Sequence, residues 1–276
     1  MEAVFGGISS LFYGVADFLG GEASRRVSAA SIVLWAGILS FPVLVVAALV
    51  VGGDAMAKDY LLGGLAGALG GLGLIILFAG LSLGQAAAVA PVSAAVAAMV
   101  PVVAALIQGE SPSTLSWFGV ALAVPAIMLC AWVTDPGELP GGGLVYGLAA
   151  GLGFGSFSVL IRLTSEGSNL LPLIASRGAT ILVPLVVAGM GVWNVSRFSR
   201  TPRGLISANA ILDVSGNVAL LYALRAGSLA TAAVAASFYP AVTVIMARIV
   251  NDEHLHRRQI LGLGLALLAM TAIALG

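Results

Sequence analysis

Three polar residues share one side of an otherwise apolar stretch, LISANAILDVSGNVALLYAL from 205 to 224: Asn209, Asp213 and Asn217, spaced by four. Successive helical residues turn by about 100°, so steps of four keep these side chains within roughly 80° of one another. A second set, Ser9, Tyr13 and Asp17, repeats that spacing near the start of the chain. Arg177 adds a guanidinium inside another apolar stretch. A charge at mid-bilayer costs about 2.5–3.5 kcal/mol on insertion scales. Facing lipid, these polar groups would go unsatisfied, so both stripes are expected to face a bundle interior or a wet cavity. The chemistry they offer is recognition. A carboxylate and a guanidinium together suit a zwitterion such as an amino acid, and Arg177 alone suits a metabolite anion. Asp17 and Asp213 are also candidates to carry a proton. A purely structural role stays open for each: Arg177 and Asp213 as a buried ion pair between neighbouring helices, and Asp17 as a solvated helix end, since Gly20, Gly21 and Glu22 follow it.

Aromatic residues supply a second ingredient. Tyr13, Trp35, Phe154, Phe157, Phe238 and Tyr239 all fall within apolar stretches. Phe154 and Phe157 are three apart and can share a helix face. Rings lining a cavity stack on an aromatic or aliphatic substrate or hold a cation; rings that only pack helices or face lipid are the alternative. The candidate substrate-binding set is therefore Tyr13, Asp17, Trp35, Phe154, Phe157, Arg177, Asp213, Asn217, Phe238 and Tyr239.

The elements that must position these residues follow from composition. The chain has 276 residues, 60% hydrophobic and 9% charged, against about 25% charged in an ordinary soluble domain. Mean hydropathy is +1.09. An all-α integral membrane protein is expected, because the roughly ten-residue alternation of barrel strands is absent. Lys and Arg (12) balance Asp and Glu (12), so no basic surface points to nucleic acid. The single cysteine, Cys130, excludes an intrachain disulfide framework and a cysteine metal cluster. His254 and His256 lie in an arginine-rich loop and read as solvated rather than metal-binding. No Walker loop, HExxH, GxSxG or dinucleotide fingerprint occurs, so neither an enzyme nor an ATP-driven pump is expected, and no cofactor. The first apolar run lacks a basic leader and a clear cleavage site and reads as a membrane helix.

Spans of about 20 apolar residues can be placed ten times, at 3–21, 30–52, 60–82, 85–107, 115–134, 143–163, 170–191, 204–225, 228–249 and 259–275. A shift of 143 aligns Gly73 with Gly216, Leu77 with Leu220, Gly84 with Gly227, Glu110 with Glu253 and Gly119 with Gly262. Near the front of each half a shift of 142 matches Pro42 to Pro184. Two five-helix repeats are expected, 1–135 and 136–276, joined at TDPGELPGGG (134–143). An odd number of spans per repeat makes the second inverted, the architecture of alternating-access carriers with a site near the midplane. Arg25, Arg26, Arg197, Arg200, Arg203, Arg257 and Arg258 fall on one side, against Lys58, Arg162 and Arg225 on the other. The positive-inside rule then puts both termini outside the cytoplasm. Gly67/Gly71 and Gly147/Gly151 permit close helix approach. Pro91 and Pro240, beside small-residue runs, are candidate hinges.

The stretch GNVALLYALRAGSLATAAVAASFYPAVTVIMARIVNDE (216–253), and more weakly AGLSLGQAAAVAPVSAAVAAMVPVVAALIQGE (79–110), resembles the EamA domain of the drug/metabolite transporter superfamily. The shared pattern is an Ala-Leu pair, a short Gly turn, small residues, a Pro-centred helix and a Glu in the next loop. The resemblance implies ten helices and transport of small molecules. The superfamily carries amino acids, sugars, nucleotide conjugates and drugs, and many bacterial EamA members look like exporters, aromatic amino acids included. The expectation is therefore a multi-pass inner-membrane exporter, monomeric or weakly oligomeric, whose partners are a small-molecule substrate, membrane lipid and, for a coupled carrier, protons. An exporter of cationic or lipophilic drugs is the alternative. One departure stands out: members often carry Arg near the start of the second and seventh helices, and here Arg177 is matched by Trp35 in the first half.

Overall fold

The computed structural model describes residues 1–83, 86–110, 112–130, 142–198, 201–250 and 257–275. Glu253, His254, His256, Arg200, Gly84 and residues 134–141 of the expected linker lie outside them. The described residues are helical, with no strand among them. The helices are α1 (Glu2–Ser24), α2 (Ala29–Val51), α3 (Ala57–Ser82), α4 (Ala86–Ile107), α5 (Thr114–Cys130), α6 (Gly142–Arg162), α7 (Leu171–Gly189), α8 (Arg203–Ala226), α9 (Leu229–Ala236), α10 (Tyr239–Val250) and α11 (Arg257–Leu275). Six of them, α1, α2, α3, α6, α7 and α8, are long and apolar enough to cross a membrane. Leu49, Val50, Ile107, Leu182 and Leu267 point outward and stay exposed, which suits lipid rather than water. The chain is a multi-pass membrane protein.

The expected ninth span is not one rod. It breaks at Ser237–Phe238 into α9 and α10. Pro240 has no amide hydrogen to give the carbonyl of Ala236, and its ring clashes with a straight helix there. The Ser237 amide instead closes the end of α9 on Ala233 O at 3.0 Å, and its hydroxyl donates to the same oxygen at 2.8 Å. The other hinge candidate, Pro91, lies within α4, which runs on through it.

The packing has an internal correspondence. α1 packs along α8 as α3 packs along α6; α4 lies on α6 as α9 and α10 lie on α1; α3 meets α7 as α8 meets α2; and α5 pairs with α11. Exchanging α1 with α6, α2 with α7, α3 with α8, α4 with α9–α10 and α5 with α11 maps this set onto itself. Glycine makes the α3–α7 approach possible. A β-carbon on Gly67 would collide with the Ser176 backbone, and the Thr180 hydroxyl donates to Gly67 O at 3.0 Å.

Loop anchors hold the two ends of the bundle. At one end, the buried Asp59 carboxylate accepts from Met56 N at 2.9 Å and Ser165 N at 2.7 Å, tying the α2–α3 loop to the α6–α7 loop. At that end too, Glu110 accepts from the Ser228 hydroxyl at 2.8 Å and from Leu229 N at 3.0 Å, so it caps α9 from the α4–α5 loop. At the opposite end, Ser28 caps α2 and its hydroxyl also donates to Asn194 O, while the Ser31 hydroxyl accepts from Ser196 N at 2.8 Å. Stretch 194–196 is thereby stitched to the start of α2.

Candidate substrate cavity

A cavity lies among these helices. The second half of α1 contributes Tyr13 and Asp17 to its wall, and α3 contributes Gly70 and Leu74. From α6 come Phe154, Phe157 and Ser158, from α7 Ser176, Arg177 and Thr180, and from α8 Asp213 and Asn217. Ala236, Ser237 and Tyr239 enter from the break between α9 and α10. Carbon dominates the wall, and the charged groups gather on α1, α7 and α8.

The geometry of those groups follows from the stripes. Arg177 Nη2 stands 2.6 Å from Asp213 Oδ2, with Arg177 5% and Asp213 8% exposed. Asn217, one turn along α8, donates to Asp213 O at 2.8 Å and to its carboxylate at 3.4 Å. Asn209, one turn the other way, donates to Ala16 O at 2.7 Å and so locks α8 to α1. A second link between these helices is Ser9, whose hydroxyl donates to Gly216 O at 2.9 Å; the absence of a side chain at Gly216 leaves room for the ring of Tyr13. Tyr239, in the cavity wall, shares a hydrogen bond of 3.0 Å with Ser93 of α4.

The wall leaves two groups with spare capacity. Among the described residues, Arg177 makes one polar contact, the pair with Asp213, although a guanidinium carries five donors. Asp17 makes neither a hydrogen bond nor an ion pair with any described residue, and lies within Coulombic range of Tyr13, Tyr239 and Asp213. A smaller void continues past the pair toward α2, lined by Val33, Ala36, Phe78 and Asn209 and sharing Asp17, Leu74, Arg177, Thr180 and Asp213 with the larger one. The pair therefore stands where the two voids meet.

Eight of the ten expected residues come together here: Tyr13, Asp17, Phe154, Phe157, Arg177, Asp213, Asn217 and Tyr239. Trp35 and Phe238 stand elsewhere. The Trp35 indole N–H donates to Ser196 O at 2.8 Å, and its ring lies 5.2 Å from that of Phe198. A half-buried indole keeps its N–H hydrogen-bonded, and here the acceptor belongs to the stretch before α8. Phe238 is 4% exposed and packs in the apolar core from the turn between α9 and α10. Ser158, Ser176, Thr180 and Ser237 were not among the expected residues. Ser176 and Thr180 flank Arg177 at −1 and +3, and that helical spacing was a usable signal. Trp35→Phe is expected to cost about 1 kcal/mol of stability, one hydrogen bond, with transport rates in proteoliposomes close to wild type.

With this geometry in view, comparison with known proteins is decisive on one point. The profile of the EamA-like transporter family matches residues 1–132 and 141–275, nearly the whole chain in two stretches. The chain belongs to the EamA-like transporter family. It is thus a membrane transporter of the drug/metabolite superfamily. A solved structure described only as "Crystal structure of protein" superposes with a TM-score of 0.76 at 14% identity, covering 99% of this chain and 96% of that one, which is a likeness of fold. No curated protein matches the chain. Both EamA stretches build the cavity: the first supplies Tyr13, Asp17, Gly70, Leu74 and Ala97, and the second the rest of the wall. Arg177 and Asp213 belong to the second alone.

Proposed function

We propose that this protein exports small zwitterionic metabolites, amino acids foremost and aromatic ones among them, by alternating access across the inner membrane. The observation that carries this reading is the pair of unused charges: spare donors on Arg177 and an unpaired Asp17 facing one apolar cavity. A substrate carboxylate is held by Arg177 in bidentate fashion and its ammonium by Asp17. The carbonyl end of α9 adds negative potential on the ammonium side, and the Ala236 carbonyl lacks the donor that a residue other than proline would give it. Tyr13, Phe154, Phe157 and Tyr239 receive the side chain.

In this proposal the chain crosses the membrane ten times in two inverted repeats, 1–135 and 136–276, with α9 and α10 as a single interrupted crossing. Both termini lie outside the cytoplasm. The two halves rock about the cavity, with Pro240 and Pro91 as flex points, and Asp17 is the carboxylate available to a coupling proton. The internal correspondence of helix contacts and the break at Pro240 support this reading.

A second reading rests on the same unpaired Asp17 and its aromatic neighbours: an exporter of cationic or lipophilic drugs, with cation–π contacts in place of Arg177. Counterflow in proteoliposomes separates the two. Amino acids, their decarboxylated amines and lipophilic cations are offered in turn. Exchange of amino acids with little exchange of the matching amines is expected. Exchange of the amines and cations alone would contradict the amino-acid reading and favour the drug exporter.

A further inference from the structure

We propose that Arg162 and Arg225 form a second site, for a small oxyanion, at the end of the bundle where α6 and α8 finish. This inference does not depend on what the central cavity carries.

Each arginine taken singly has a structural rationale, because the last turn of a helix favours a cation. Together they are harder to explain. Arg225 is held in place by dipoles: Nη1 donates to Asn169 O at 3.0 Å, and Nη2 to Thr164 Oγ1 at 3.1 Å, Ser165 O at 3.0 Å and Ser168 Oγ at 3.0 Å. None of these acceptors is a carboxylate. Arg162 has no hydrogen-bond or ion-pair partner among the described residues. The Nε of each arginine is buried without an acceptor. Leaving a charged donor unmet is among the costlier defects a buried region can hold.

No carboxylate meets either guanidinium directly among the described residues. Neither arginine enters an ion pair among the described residues. Glu166 and Asp59 lie within Coulombic range of Arg225 and favour its charge, yet neither reaches a guanidinium donor, and the Asp59 oxygens already serve Met56 N and Ser165 N. Arg162 lies within Coulombic range of Arg225 as well, and two such cations repel unless an anion lies between them. The repeat does not demand either residue. The first-half counterparts are Gly20 for Arg162, by the 142 shift, and Ser82 for Arg225, by the 143 shift. Ser158, in the cavity wall, is one helical turn from Arg162, so the site lies just beyond that wall. A carboxylate, sulfate or phosphate group fits the donor set. Its source is either a free anion or the headgroup phosphate of a lipid.

The test is thermal unfolding of the purified full chain in an uncharged detergent. Sodium sulfate is titrated at constant ionic strength against sodium chloride, and phosphatidylglycerol is titrated separately in mixed micelles. A saturable rise in Tm is expected with at least one of the two probes. The half-saturating concentration should rise by about tenfold or more in Arg162→Gln, the loss of one charge-assisted contact. Arg162→Gln breaks no hydrogen bond among the described residues, so it is expected to fold. Arg177→Lys, altered in the cavity, should keep the response. A response to sulfate identifies a free oxyanion as sufficient; a response to phosphatidylglycerol alone identifies a lipid headgroup. Sulfate also stabilises proteins without binding, and that effect is unsaturated and indifferent to Arg162. The absence of a saturable response to either probe, or one that is unchanged in Arg162→Gln, would overturn the proposal.

Discussion

Arg177→Ala is expected to lose both stability and transport, and the two losses have different origins. The substitution leaves Asp213 as an uncompensated carboxylate at a position 8% exposed. Breaking a buried pair in this way costs about 3–5 kcal/mol. Exchanging both partners for well-packed apolar residues is often neutral or stabilising. The double variant Arg177→Met/Asp213→Leu should therefore unfold near the wild-type temperature while amino-acid counterflow stays lost. A pair that served only to lock α7 to α8 would behave otherwise. Restored stability would then bring restored transport, and counterflow at the wild-type rate in the double variant would assign the pair to structure alone.

The second large effect is expected at the α3–α7 contact. Gly67→Val places side-chain atoms where the Ser176 backbone stands. Overpacking a tight contact costs about 1–3 kcal/mol or more, and a backbone cannot turn aside as a rotamer can. The hydrogen bond from Thr180 to Gly67 O, 3.0 Å long, is strained as well. Because Ser176 and Thr180 flank Arg177, a displaced α7 also moves the guanidinium. A marked fall in folded yield and Tm is expected. Gly64→Val is the internal control: a β-carbon there meets nothing within 4 Å, and an effect within about 0.5 kcal/mol is expected. Equal losses in the two variants would contradict the account of this contact.

Much of this architecture was legible in the residues. Apolar runs of membrane length marked helices close to where they lie, and the spacing of Asn209, Asp213 and Asn217 correctly set them facing inward. The division of labour within that stripe was not legible. Asn209 reaches a carbonyl on α1, Asp213 meets Arg177, and Asn217 folds back on Asp213. Spacing along one helix gives a direction, and the partner depends on which helix lies opposite. The same limit explains Trp35. An aromatic ring within an apolar stretch made it a candidate for the substrate wall, but position along a span does not say which acceptor an indole will find. In the structure that acceptor is Ser196 O. Pro240 was legible as a disturbance of its helix; a complete break before it depends on Ser237 closing α9, a contact within one turn that apolar periodicity does not register. The loop anchors were the least legible. Glu110 stood out by aligning with Glu253, yet its partners, Ser228 and Leu229, lie more than a hundred residues away.

The central claim is that Asp17 and Arg177 grip the two charged ends of one zwitterion. It is tested most directly by counterflow of one amino acid through wild type and Asp17→Asn in proteoliposomes, with folding checked by thermal unfolding. Asp17 makes no hydrogen bond or ion pair with the described residues, so the variant should fold as the wild type does. The account predicts a fall in amino-acid flux of at least about tenfold, the equivalent of one charge-assisted contact. Unchanged flux through folded Asp17→Asn would contradict it.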